Sequence, residues 1–98
     1  MWVISWKKCK DFVDDHEEAR EPLRRWFKTT ENAEWKSFND VKKTFGKTAD
    51  RHRKCYIFDV HGGNYRVIAR VSESWKRVFV KHVLTHREYD NDDWKSCC

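Results

Sequence analysis

Cys55-Tyr-Ile-Phe-Asp-Val-His-Gly-Gly-Asn-Tyr-Arg-Val-Ile-Ala-Arg-Val71 decides the fold. It holds two β-rich runs separated by Gly62-Gly63-Asn64, a turn whose residues tolerate positive φ. A third run, Val78-Phe-Val-Lys-His-Val-Leu-Thr85, follows a polar link and leads straight into His86-Arg-Glu-Tyr-Asp90. Side chains alternate along a strand. Tyr56, Phe58 and Val60 therefore share one face of the first run, and Tyr65, Val67, Ala69 and Val71 one face of the second. Arg66, Ile68 and Arg70 take the other. In the third run, parity groups Val78, Val80, His82 and Leu84 against Phe79, Lys81, Val83 and Thr85. Helices should cover the more apolar face. Arg66, Arg70 and Lys81 are then left on an open face with Ile57, Ile68 and Phe79 between them. His82 falls on the covered side by this count and reads as structural.

The cover comes from the N-terminal half. Trp2 to Ile4 suits a short edge strand, and Ser5 suits an N-cap. Trp6, Cys9, Phe12, Val13 and His16 recur at helical spacing, and so do Ala19, Leu23, Trp26 and Phe27. Pro22 is tolerated only in a first turn, so the second helix begins close to Arg20 or Glu21. Thr29 to Asn32 reads as a loop. Ser37-x-x-Asp40 resembles a capping box opening a third helix with Phe38, Val41 and Phe45, and Gly46 suits its C-terminal turn. Lys47 to Lys54, with Arg51-His52-Arg53-Lys54, reads as a polar loop, either solvated or touching RNA. The expected fold class is α+β, N-terminal helices packed on one face of a small antiparallel sheet. Residues 1–98 form one domain: 1–46 mainly helical, 54–90 the sheet and the functional end, 91–98 a tail.

Ninety-eight residues give room for one modest core. A net charge of +5 and a pI near 9.1 suit a polyanionic partner. No apolar run approaches the ~20 residues that span a bilayer. Met1-Trp-Val-Ile-Ser-Trp6 is short and quickly followed by charge, unlike a secretory signal, so a cytoplasmic protein is expected. Cys9, Cys55, Cys97 and Cys98 form no C-x-x-C pair and no dense disulfide spacing. They are expected to be reduced thiols, with no zinc site.

Gly63-Asn-Tyr-Arg-Val-Ile68, then Val78-Phe-Val-Lys81 and Thr85-His-Arg-Glu-Tyr-Asp90, resembles the HigB-type toxins of the RelE/ParE superfamily. The helix around Leu23, Trp26 and Phe27 and the stretch Trp35-x-x-Phe38 agree more loosely. The resemblance implies a compact RelE-like toxin. It implies an endoribonuclease that cuts mRNA on translating ribosomes, with no cofactor. It also implies a HigA-like helix-turn-helix antitoxin as partner, through which the pair would bind operator DNA. By the same resemblance, Arg66 matches a strand arginine at the scissile phosphate, and His86 and Tyr89 match the terminal signature. Lys81 stands where a basic residue is common. One departure matters: the RelE branch carries paired lysines where this chain has Ile57 and Asp59. A mechanism built on those lysines does not transfer, and the chemistry falls to the His86/Tyr89 end.

Metal-free RNA cleavage needs a base for the ribose 2′-hydroxyl, an acid for the leaving 5′-oxygen and cations for the phosphate. His86 suits acid or base by its ordinary titration range, Arg66 offers a planar fork, and Lys81 a point charge. Tyr89 suits a donor or a stacking ring. Arg51, Arg53 and Arg70 are further RNA-binding candidates. Arg66, Lys81, His86 and Tyr89 are expected to form one cluster. Glu88 and Asp90 read as capping or ion-pairing residues, and Asn64 as a turn residue. Two other functions fit the same chain: a gyrase-directed toxin of the ParE type, and a non-catalytic RNA-binding module. A His–Tyr pair favours the nuclease over the gyrase poison. An open face with Phe79 as its one aromatic argues against a stacking platform.

Overall fold

The computed structural model describes the backbone of residues 1–98 and every side chain except that of Cys97. Strands β1 (Trp2–Ile4), β2 (Ala49–His52), β3 (Cys55–Val60), β4 (Tyr65–Ser72) and β5 (Arg77–Thr85) form one sheet. Helices α1 (Lys7–Asp15), α2 (Arg20–Glu31) and α3 (Phe38–Phe45) precede β2, and the short α4 (His86–Asp90) follows β5. The sheet order is β1-β5-β4-β3-β2, antiparallel except for the parallel β1–β5 pair. This is the α+β fold expected, with Trp2–Ile4 as the edge strand. Among the described residues no helix is long and apolar enough to cross a membrane.

The helices bury one face of the sheet. Cys9, Val13, Leu23, Trp26, Trp35 and Val41 pack onto Tyr56, Phe58, Val60, Tyr65, Val67, Ala69, Val78 and Val80. Trp35 stacks on Phe58 with ring centroids 5.9 Å apart, and Trp26 meets the same ring at 5.3 Å. Helix α2 begins at Arg20, as Pro22 requires, but continues through Glu31 where a loop was expected. Lys28 C=O accepts from Asn32 N–H at 3.1 Å and closes that last turn. Ser5 does not cap α1: it takes φ 69°, and its carbonyl, not its hydroxyl, accepts from Lys8 N–H. Asp40 does reach back, accepting from Lys36 N–H at 2.9 Å, although Ser37 provides no side-chain cap.

Lys47–Lys54 is no loop. Ala49 to His52 pairs with Phe58 to Cys55 as a second edge strand, and Arg53, at φ 55°, takes the hairpin turn. Polar residues suit an edge strand with one side in water, which is why the stretch looked loop-like.

A bulge in β5 breaks the simple parity. Ile68 faces His82 but Ala69 faces Val80, so Lys81 is an extra residue. Beyond it the alternation is inverted. Val83 packs into the helix-side core, Leu84 against the other face, and His82 lines a depression with Trp94 on that other face. The sequence expectation that His82 lies under the helices is thus reversed.

The second face is not open. Residues Asp93–Cys97 form a 3₁₀ turn folded back across it. Trp94 is buried against Ile57, Ile68 and Cys55, with Leu84 and Tyr89 beside it. Cys55 and Cys98 form a disulfide, their Cα atoms 5.5 Å apart. The expected reduced thiols and free tail are therefore corrected together. Cys55 starts β3 on the second face, and Trp94 carries the C-terminus to it. Cys9 stays a free thiol, buried, and burial pushes its pKa up to about 12.

Candidate active site

One cleft of about 430 Å³ lies on the second face, where β2, β3 and β4 meet the end of α3 and α4. Lys42, Lys47, Asp50, Ile57, Asp59, Arg66 and Tyr89 line it. Its centre is built by strand register. Asp59 and Arg66 are direct cross-strand partners, and Arg66 Nε lies 2.8 Å from Asp59 Oδ1. Arg66 Nη1 also donates to the carbonyl of Gly63. Gly63 holds φ 88°, a value that side-chain-bearing residues rarely take, and this turn aims its carbonyl at the guanidinium. The guanidinium is thereby fixed with 13% of its side chain exposed.

Tyr89 covers it. The guanidinium carbon sits 4.8 Å from the centroid of the Tyr89 ring, and that ring stacks on Trp94 at 5.1 Å and 11°. Trp94 Nε1 donates to the Tyr89 carbonyl at 2.9 Å, which pins α4 as well as the ring. Burial raises the phenol's pKa above its ordinary value; Arg66 pulls it down, while Asp50, Asp59 and Asp92 add to the rise. A phenol whose pKa is raised keeps its proton wherever a free tyrosine does.

Helix α4 is set by a capping box. Thr85 Oγ1 accepts from Glu88 N–H at 3.2 Å, and Glu88 Oε1 accepts from Thr85 N–H at 3.0 Å. His86 N–H donates to the Asn64 carbonyl at 3.0 Å, tying the helix to the β3–β4 turn. Positive φ in that turn falls on His61, Gly62 and Gly63, not on Asn64. The His86 imidazole is exposed, with Nδ1 3.0 Å from Asp90 Oδ2. It shares a helical turn with Tyr89 but does not line the cleft.

The remaining candidates are dispersed. Lys81 is on the second face, as parity implies, yet it lines a separate depression of about 280 Å³ with Arg70 and Phe79. Arg66 pairs with Leu84, so Lys81 lies on the order of 10 Å away along β5. The expected single cluster of Arg66, Lys81, His86 and Tyr89 is not formed; the bulge and the folded-back C-terminus separate its parts. Arg51 projects from β2 with its guanidinium 6.0 Å from the Tyr56 ring and Nε donating to the Arg53 carbonyl. Arg53 itself is exposed in the hairpin turn.

Lys42, Lys47 and Asp50 were not singled out by sequence reading, and Asp59 was named there as a departure from the RelE-branch lysines rather than as a site residue. Lys42 Nζ donates to the Ala49 carbonyl at 2.7 Å, so α3 and β2 brace each other at the cleft wall. The alternation of Ala49, Asp50, Arg51 and His52 was the available signal. Among the described residues no three His, Cys, Asp or Glu side chains gather in a way that would hold a metal ion.

Comparison with known proteins agrees with this architecture. The family model described as HigB toxin, RelE-like toxic component of a toxin-antitoxin system, matches residues 19–92, which include every residue lining the cleft. The chain is similar to the mRNA interferase toxin HigB of Escherichia coli strain K12, 28% identical over 92% of this chain and 88% of the relative. A Shigella flexneri protein named mRNA interferase HigB gives the same figures. It is also similar to an mRNA interferase HigB of Escherichia coli O6:H1, 54% identical over 38% of this chain and 36% of that relative. The chain belongs to the HigB family of RelE-like toxins, the toxic components of toxin–antitoxin systems.

Proposed function

We propose that this chain is an endoribonuclease that cuts translated mRNA on the ribosome, with Arg66 and Tyr89 at the reacting phosphate. The observation that carries the reading is the Arg66 guanidinium fixed beneath the Tyr89 ring, in a cleft walled by Lys42 and Lys47. Relatives named mRNA interferases point to the same substrate.

The reaction follows from the donors present. The ribose 2′-hydroxyl gives its proton to a base, and its oxygen bonds to the adjacent phosphorus. The bond from phosphorus to the 5′-oxygen breaks, and that oxygen takes a proton from an acid. A 2′,3′-cyclic phosphate and a 5′-hydroxyl result. Arg66, with Nε on Asp59 and Nη1 on the Gly63 carbonyl, offers its Nη2 N–H groups to a non-bridging oxygen, and Lys42 and Lys47 offset the accumulating charge. Tyr89 supplies the proton to the leaving oxygen. His86 is the base: Asp90 holds Nδ1, which directs Nε2 outward as acceptor. Its imidazole stands beside the cleft, so ribosome-bound mRNA must bring the 2′-hydroxyl to it. Substrate positioning by the ribosome would supply much of the rate.

The same reading takes residues 1–98 as one toxin domain acting in the cytoplasm. Its partner is a HigA-like helix-turn-helix antitoxin, through which the pair binds operator DNA. The test is expression without antitoxin, followed by primer extension on cellular transcripts. Cleaved mRNA ends are expected. Intact mRNA with relaxed or broken DNA would assign the toxin to gyrase instead.

A further inference from the structure

Trp2 and Trp75 stand out among the described residues as exposed large apolar side chains, at 67% and 72% exposure. Neither belongs to a packed core cluster. Both meet one side chain. Trp2 is opposite Arg77 in the β1–β5 pair, and the Arg77 guanidinium carbon lies 5.7 Å from the Trp2 ring centroid and 5.8 Å from that of Trp75. One guanidinium is thus shared by two indoles, and most of each ring remains in water.

The surroundings are cationic. Between Arg70 and Lys81 the chain carries Lys76 and Arg77 as well, against a single acid, Glu73. Glu73 is engaged elsewhere, its carboxylate accepting from the Tyr56 hydroxyl. Two adjoining depressions connect the group: Ser72, Trp75, Arg77 and Phe79 line one, and Arg70, Phe79 and Lys81 line the other. Register places Trp2, Arg77, Phe79, Ser72 and Arg70 on the same face of the sheet as Arg66, so Phe79 is not the one aromatic there and the sequence expectation against a stacking platform does not hold. The two ends are on the order of 20 Å apart along β4. The C-terminal 3₁₀ turn stands between them, so this is a separate subsite and not an extension of the cleft.

We propose that Trp2, Trp75 and Arg77 form a base-stacking subsite for single-stranded RNA, with Arg70 and Lys81 taking its phosphates. Open indole faces stack on any base, and cations one step away match the backbone that joins the bases. Paired strands hide their base faces, so duplex RNA has no equivalent fit. The subsite rests on the reading that the chain acts on RNA, but it makes no use of Arg66, Tyr89 or His86.

The test is fluorescence anisotropy with a labelled single-stranded oligoadenylate and a labelled RNA duplex, on the wild-type chain and its Trp2→Ala/Trp75→Ala and Trp2→Phe/Trp75→Phe variants. The alanine variant should bind the single strand about tenfold or more weakly. The phenylalanine variant should recover most of the affinity, and duplex binding should not change. Should the double alanine variant fail to fold, Trp75→Ala alone, a change in an exposed turn, should still show a severalfold loss. Unchanged single-strand affinity overturns the proposal. So does an equal loss for duplex, which would mean charge alone, or a loss of antitoxin affinity with RNA binding intact, which would make the patch a protein-docking surface. Failure of the nuclease reading is separate: it would appear as uncut mRNA with the wild-type chain, whatever the tryptophan variants bind.

Discussion

At the scale of single residues, Tyr89 does three things at once. It caps the Arg66 guanidinium, stacks on Trp94 and, as a residue lining the cleft, carries a hydroxyl. Tyr89→Phe removes only the last. The variant should melt close to wild type while single-turnover cleavage falls by about 10²–10⁴-fold, the usual cost of losing a proton donor. Arg66→Lys should not rescue Arg66→Ala, because a point charge lacks the fork that holds Asp59 and a phosphate oxygen together. A pH prediction follows from the partly buried phenol. Its folded pKa is raised, so the stabilisation it gives is complete below the unfolded value of ~10 and is lost as pH climbs through the raised one. The tyrosinate absorbance missing from Tyr89→Phe should therefore appear above pH ~10; appearance near neutrality would make Tyr89 a base and reverse the assignment of acid and base. Arg66 and Tyr89, which line the cleft, were singled out through the resemblance of Gly63–Ile68 and Thr85–Asp90 to HigB-type toxins, and His86, singled out in the same way, stands outside it. Asp59 and Lys42 were not legible as cleft residues: Asp59 meets Arg66 through strand register, and Lys42 reaches the Ala49 carbonyl across the junction of α3 and β2.

At the scale of elements, two features carry most of what alternation missed. The β5 bulge costs one residue of register and flips His82, Val83 and Leu84; no composition rule marks Lys81 as the extra residue. The C-terminal turn depends on a contact between Cys55 and Cys98, separated by 43 residues in sequence, so the local pattern of 91–98 reads only as a polar tail. The two edge strands fared differently: Trp2–Ile4 was recognisable by its apolar run, whereas Ala49–His52 hid behind its charge. The disulfide closes a long loop, and its removal by Cys98→Ser should lower stability by about 2–4 kcal/mol. Chemical denaturation with and without a thiol reductant measures this: the wild-type chain should fall to the variant's stability once reduced, and a midpoint indifferent to reductant would mean that Trp94 alone holds the turn. Thr85→Ala, which removes one half of the α4 capping box, should cost about 1 kcal/mol and loosen Tyr89 with the helix it belongs to.

At the scale of the whole molecule, the helices and the C-terminal turn divide the sheet between them. One face is core, and the other has a covered centre with a cationic site at either end. The α+β class was legible because the helical periodicity stops near Gly46 and the strand alternation dominates after Cys55. The separation of the two cationic ends was not, since it is set by the turn that crosses the second face. A chain of net charge +5 should bind ribosomes with a steep salt dependence, and removal of Arg66 should weaken binding as well as cleavage. Removal of the Tyr89 hydroxyl should leave binding unchanged. The measurement that tests the central claim is single-turnover cleavage of ribosome-bound mRNA, with ribosome affinity measured in parallel, for the wild-type chain and for Arg66→Ala, Tyr89→Phe and His86→Ala. The expected result is near-complete loss of cleavage in all three, with normal affinity in the Tyr89 and His86 variants. Near wild-type cleavage by Arg66→Ala and Tyr89→Phe would contradict the account and move the chemistry out of this cleft.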